Sequence, residues 1–131
     1  MSLSIQYLGV FIWAALWAGL HGWQLKRWGR GPVGPATPTD RRAFHLAALA
    51  FCLVNGAQAL VKGLTLAPPV DLALHVQRLM MNAAIMAGVG VLALGVGRFS
   101  RTKPRAALTA LGLHSAAMAG VDVLFWVLFQ G

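Results

Sequence analysis

Two oppositely charged side chains, Arg78 and Asp122, lie inside hydrophobic segments of this 131-residue sequence. A charged group inside a bilayer costs at least about 2.5 kcal/mol, so charges that remain there need partners. Counted from the outer ends of their segments, both side chains lie roughly 10 Å deep in a helix that rises about 1.5 Å per residue. Because an arginine and a carboxylate can bond in a bidentate geometry, we predict an intramembrane ion pair between them.

Other polar side chains repeat at helical spacing and extend this pair into what we call the polar cluster. Its further predicted members are Asn55, Gln58, Lys62, His75 and Asn82. Two interpretations remain open. In the first, these side chains join helices by hydrogen bonds, and Lys62 extends toward the membrane surface. In the second, they form a binding site or pathway whose excess positive charge favours an anion or a polar head group.

Each hydrophobic segment also contains one histidine: His21, His45, His75 and His114. His21 and His45 lie near the same predicted membrane face, where two helices can supply the axial ligands of a haem. His114 lies deeper on that side, and no pair has the close spacing of a zinc motif. We expect hydrogen-bonded histidines and no cofactor, with haem or metal bound by His21, His45 and His114 as the alternative.

Catalytic patterns are missing from the sequence. The chain has no glutamate, and its three acids, Asp40, Asp71 and Asp122, form no pair suited to general acid–base chemistry. It also lacks a phosphate-binding glycine motif. We therefore favour a non-enzymatic function.

Four long hydrophobic segments must position these residues. Charged residues make up only 11% of the chain, whereas a soluble domain has about 25%. The segments run at about 3–25, 43–66, 70–97 and 106–129. As helices, each is long enough to cross a hydrocarbon core of about 30 Å. We predict an all-α fold, a polytopic membrane protein with one four-helix transmembrane bundle over residues 1–131.

Local sequence features predict how the segments pack. The short connection between the second and third segments predicts that these two are antiparallel neighbours. Small residues at four-residue spacing predict close helix contacts. These residues are Ala14, Ala18 and Gly22, then Ala84, Gly88, Ala93 and Gly97, then Gly112, Ala116 and Gly120.

The basic residues predict the orientation in the membrane. The net charge is +8, and nine of the eleven Lys and Arg residues lie in or beside the two loops 26–42 and 98–105. Short loops rich in Lys and Arg stay in the cytoplasm, so both termini should face outside. Abundant Ala and a preference for Arg over Lys suggest a bacterial plasma (inner) membrane. Because topology accounts for the charges, we predict no nucleic-acid partner.

Two classes of function fit this architecture. The favoured one is an accessory or scaffold subunit of a larger membrane complex, whose partners are the bilayer and other transmembrane helices. The alternative is a small homo-oligomeric transporter or channel that uses the outward-facing polar cluster. A haem-binding membrane protein is a more remote alternative.

Overall fold

The computed structural model describes residues 3–28, 38–65 and 71–130, and every regular element in these ranges is an α-helix. The helices are α1 (Leu3–Trp28), α2 (Pro38–Thr65), α3 (Leu72–Phe99) and α4 (Thr102–Gln130). Each is long and apolar enough to cross a membrane. The prediction of an all-α chain with four such helices is therefore confirmed.

The helices extend beyond the hydrophobic spans that predicted them, mainly on the side of the basic loops. The last turn of α1 contains Lys26 and Arg27, where the helix dipole favours cations. The first turn of α4 contains Pro104, where the missing N–H costs no intrahelical hydrogen bond. Asp71 caps α3, because its side chain accepts a hydrogen bond of 3.1 Å from the backbone N–H of Leu74.

Within the described ranges, the closest backbone contacts join α1 to α2, α2 to α4, and α3 to α4. The predicted antiparallel neighbours α2 and α3 make no comparably close backbone contact, although their connection is short. The helices instead both line a polar cavity, so bulky polar side chains lie where a close backbone contact would need small ones.

Small residues do bring the other helix pairs together. A Cβ atom on Gly90 of α3 would lie 3.1 Å from the backbone oxygen of Gly112 on α4. One on Gly56 of α2 would lie 3.2 Å from the Cβ atom of Ala14 on α1. In contrast, a Cβ on Gly88 would meet nothing within 4 Å. The predicted contact residues Ala14 and Gly112 thus pack inside the bundle, whereas Gly88 faces outward.

A small apolar cluster, formed by Val10, Ala59 and Met118, lies in the middle of the bundle. It separates two polar regions, because Met118 lies one turn from His114 on one side and one turn from Asp122 on the other. The outer surface is also apolar, with Leu64, Val91 and Phe99 exposed by 78%, 71% and 93%.

Candidate functional site

A cavity of about 520 Å³ lies at the end of the bundle that contains the start of α1, the end of α2 and the start of α3. We call it the polar cavity. All four helices contribute to its walls. Its polar lining residues are Gln6, Tyr7, Asn55, Gln58, Lys62, Thr65, His75, Arg78, Asn82 and Asp122. Its volume is within the range of small-molecule sites, which is about 300–1,000 Å³.

All seven residues of the predicted polar cluster line this cavity. Helical periodicity explains the agreement, since residues three, four or seven positions apart share one face of a helix. The structure therefore brings the cluster residues to one place. It does not place a ligand among them, and their functional role stays a prediction.

Asp122 is the buried carboxyl group of the cavity, and the residue is only 3% exposed. Its Oδ2 accepts a hydrogen bond of 2.5 Å from Nδ2 of Asn82. Among the described residues no salt bridge joins Asp122 to Arg78, so the predicted ion pair is not a contact here. The physical reason is position: Asn82 lies one turn deeper than Arg78 on the same face of α3 and directs its amide at the carboxylate.

The cavity has more cationic than anionic groups. Lys62 and Arg78 are both exposed in the isolated chain and line the walls. Lys62 acts on Asp122 electrostatically without a salt bridge to it in the described part of the chain. Two cations thus share the cavity with one carboxylate that already accepts a hydrogen bond from an amide. The imbalance makes the cavity attractive to an anion.

The polar side chains join helices less than the hydrogen-bonding interpretation predicts. Asn55 donates to the backbone oxygen of Phe51 in its own helix, at 2.8 Å. Gln58 is exposed at the cavity wall. The interhelical bonds are Asn82 to Asp122 and, at 2.7 Å, His75 Nε2 to Gln6 Oε1. The amides of α2 thus keep hydrogen-bonding capacity directed at the cavity.

Two residues of α1 belong to this site and were missed by the sequence analysis. Gln6 is 3% exposed and accepts the hydrogen bond from His75. Tyr7 makes an edge-to-face contact with the His75 ring, with centroids 6.0 Å apart. The available signal was a glutamine in an apolar segment next to the only tyrosine of the chain.

The second polar region is a row of three imidazole rings that we call the histidine chain. Nδ1 of His45 lies 2.8 Å from Nδ1 of His21, and Nε2 of His21 lies 2.9 Å from Nε2 of His114. The rings come from α2, α1 and α4. His21 and His114 are buried, while His45 is half-buried. The structure therefore brings the three candidate haem or metal ligands together, and it leaves His75 in the polar cavity.

Aromatic rings surround the histidine chain. Trp17 stacks on His21 at a centroid distance of 5.9 Å and an angle of 25°. Phe44 contacts His21, and Phe51 contacts His114, at centroid distances of 6.2 and 5.9 Å. This apolar surrounding strengthens the hydrogen bonds between the rings, because it excludes competing water.

The arrangement of the rings differs from a ligand set for one metal ion. One ion needs one nitrogen from each ring at about 2.0–2.1 Å from a common point, whereas His21 directs its two nitrogens to two different rings. The described residues contain no group of three side chains suited to one ion. The axial nitrogens of a haem would lie roughly 4 Å apart, twice such a bond length, which exceeds the 2.8 Å between His45 and His21. The geometry favours hydrogen bonding.

Comparison with family models, with curated proteins and with solved structures found no match to this chain.

Proposed function

We propose that this protein is an integral membrane protein of the transporter or channel class, and that its polar cavity binds a small phosphate-bearing anion or the phosphate of a lipid head group. The charge of the cavity is the main support for this proposal. Lys62 and Arg78 line a cavity of about 520 Å³ whose single carboxylate, Asp122, is held by Asn82. Their positive charge is therefore available to a ligand.

Membrane insertion is part of this proposal. Four long apolar helices and an apolar outer surface support it, since such a surface suits lipid rather than water. We further propose that the basic loops lie in the cytoplasm of a bacterium. The polar cavity then lies in the outer half of the plasma membrane, because it is at the opposite end of the bundle from these loops.

The residues around the cavity have complementary binding properties. The guanidinium of Arg78 can bind two oxygens of a phosphate at once, whereas the ammonium of Lys62 acts as a point charge. The amide of Gln58 adds donors without adding charge. Asp122 repels an anion, so it directs the ligand toward the two cations.

The apolar cluster limits how far a ligand can enter. Met118 lines the inner end of the cavity, and Val10 and Ala59 pack with it. Passage across the membrane therefore requires either displacement of these side chains or a path between copies of the chain. This geometry agrees with the interpretation of a homo-oligomer.

Thermal unfolding with two phosphate sources tests the proposal. Purified protein in a neutral detergent is heated with glycerol phosphate, with phosphatidylglycerol, or with glycerol as the uncharged control. A ligand at 100 times its Kd stabilises the folded state by about 2.7 kcal/mol. We expect stabilisation by at least one phosphate source. The source that stabilises distinguishes a free anion from a lipid.

Two variants make this test specific. Arg78→Gln removes a cation from the cavity, and Arg98→Gln removes one from the exposed last turn of α3, outside the cavity. The stabilisation should be lost in R78Q and kept in R98Q. Equal loss in both variants would show binding by general charge alone and would contradict a cavity site, as would stabilisation by neither phosphate source.

A second candidate is the accessory or scaffold subunit, and the outward face of α3 favours it. A Cβ atom added to Gly88 or Gly95 would meet nothing within 4 Å, and Ala84 on the same helix is exposed. Small residues on a lipid-facing surface allow another helix to approach closely. Purification in a mild detergent tests this candidate: a stoichiometric second protein supports it, and a homo-oligomer or a monomer contradicts it.

A further inference from the structure

The histidine chain has a direction, which its last member determines. Nδ1 of His114 lies 2.8 Å from the backbone oxygen of Ala110. A carbonyl oxygen only accepts hydrogen bonds, so His114 must hold its proton on Nδ1. In the neutral ring, Nε2 is then an acceptor.

The remaining tautomers follow one from another. Because Nε2 of His114 accepts, Nε2 of His21 must donate across the 2.9 Å contact. Nδ1 of a neutral His21 then accepts, so Nδ1 of His45 donates across the 2.8 Å contact. With all three rings neutral, each ring holds one proton, and every hydrogen bond points from His45 toward His114.

We propose that the histidine chain is a proton relay and that His114 is the buried proton-binding site at its end. A proton that binds Nε2 of His45 makes this ring a cation, which passes its Nδ1 proton to Nδ1 of His21. His21 then passes its Nε2 proton to Nε2 of His114. Two N–H bonds break and three form, counting the incoming one, so one added proton becomes one positive charge on His114. This relay does not depend on the ligand of the polar cavity.

The position of the histidine chain in the bundle suits a proton relay. His45 is the half-buried member, while His21 and His114 are 4% and 8% exposed. The relay thus runs from the side of the basic loops toward the middle of the bundle. Met118, one turn beyond His114, separates it from Asp122. Protonatable groups inside a membrane domain are typical of proton pathways in pumps and transporters.

Charged residues flank the histidine chain on the side of the basic loops. The ionisable groups that act on His21 are His114 and His45. The next ones along the packed helices lie toward the basic loops. They are Lys26 and Arg27 on α1, Asp40 and Arg41 on α2, Arg98 on α3 and Arg105 on α4.

Nuclear magnetic resonance of the full chain in lipid nanodiscs, with ¹⁵N-labelled histidine, tests the relay. The wild type should show nitrogen–nitrogen couplings from His21 to both His45 and His114, with the tautomers derived above. The same spectra give the rate at which His114 exchanges between neutral and protonated forms.

The variant His45→Gln separates a relay from a structural role. The glutamine amide can still donate a hydrogen bond to His21, but it cannot accept a proton and pass another on. We expect the His114 exchange rate to fall by about a hundredfold, the low end of what positioned proton-transfer groups contribute. His75→Gln makes the same change outside the chain and should leave that rate unchanged.

Two results would overturn the relay. One is an unchanged His114 exchange rate in H45Q, which would leave only a structural bond. The other is a wild-type spectrum in which either coupling from His21 is missing, or in which the proton of His21 is on Nδ1. The second result needs no variant, so it decides the question even where H45Q does not fold.

Discussion

At the scale of single residues, the hydrogen-bond partner of Asp122 determines whether Arg78 is available to a ligand in the polar cavity. An ion pair with Arg78 would neutralise the cation and leave little for a ligand. The hydrogen bond from Asn82 instead satisfies the carboxylate with a neutral group. Arg78 therefore remains directed at the cavity, which is the basis of the proposed anion site.

A double-mutant cycle measures which residue is bound to Asp122. Truncating Asn82 to Ala should destabilise the folded protein by about 1.5–3 kcal/mol, since a hydrogen bond to a buried charged group is lost. The coupling free energy of Asn82 with Asp122 should be large. That of Arg78 with Asp122 should stay below about 0.5 kcal/mol, as for independent sites. Unfolding in mixed detergent micelles gives these free energies, and the reverse order of couplings would return the salt bridge to the site.

Sequence reasoning located the polar cavity but not its internal bonds. The spacing of Asn55, Gln58 and Lys62 places them on one face of α2 regardless of how the helices rotate. The choice between Arg78 and Asn82 as partner depends on the rotation and height of α3 against α4. Positions within one helix do not contain that information, because it arises from packing between helices.

The same limit applies to the histidines. Depth estimates placed His114 deeper than His21 and His45, yet the three rings are hydrogen-bonded. Those estimates counted backbone positions, whereas side chains tilt toward the N-terminus of their helix, which brings His114 on α4 toward the basic loops and His21 on α1 away from them. One histidine on each helix was visible in the sequence, but their meeting point was not.

At the scale of the helices, glycine determines how closely α3 approaches α4. A Cβ atom on Gly112 would lie 2.6 Å from Cγ of Leu94 and 3.1 Å from the backbone oxygen of Gly90. Leu94 can rotate away, but the backbone of α3 can move only with its helix. A glycine is therefore required at position 112 because the backbones of α3 and α4 approach each other closely there.

Gly112→Ala should destabilise the bundle, with Gly88→Ala as the matched control. Overpacking of this kind costs about 1–3 kcal/mol, reduced by up to about 1 kcal/mol because alanine favours the helix. Gly88 has open space, so its substitution should be neutral or slightly stabilising. Thermal unfolding of the two variants makes the comparison, and an equal effect at both positions would contradict the close approach of α3 to α4.

At the scale of the whole molecule, the two polar regions lie at different levels of one bundle. The polar cavity is near the end of α2 and the start of α3, and the histidine chain is toward the basic loops, with the apolar cluster between them. The proposed anion site and the proposed proton relay would together be the parts of a proton-coupled transporter. The order of these parts depends on the orientation in the membrane.

Cysteine labelling determines this orientation. The only native cysteine, Cys52, is 1% exposed, and Cys52→Ala gives a background without thiols. In that background, Ser100→Cys should react with a membrane-impermeant maleimide only after the cells are opened. Gln130→Cys should react in cells whose outer membrane alone is permeable. The opposite pattern would place the polar cavity on the cytoplasmic side and contradict the proposed topology.

Calorimetric titration with glycerol phosphate in detergent measures whether the uncompensated positive charge in the polar cavity binds a phosphate-bearing anion, as we propose. Arg78→Gln should weaken binding, whereas Asp122→Asn should strengthen it, because the amide still accepts the hydrogen bond from Asn82 while the repelling charge is gone. Changes of opposite sign are the predicted result. Weaker binding in both variants, or no measurable binding to the wild type, would rule out an anion site formed by this charge.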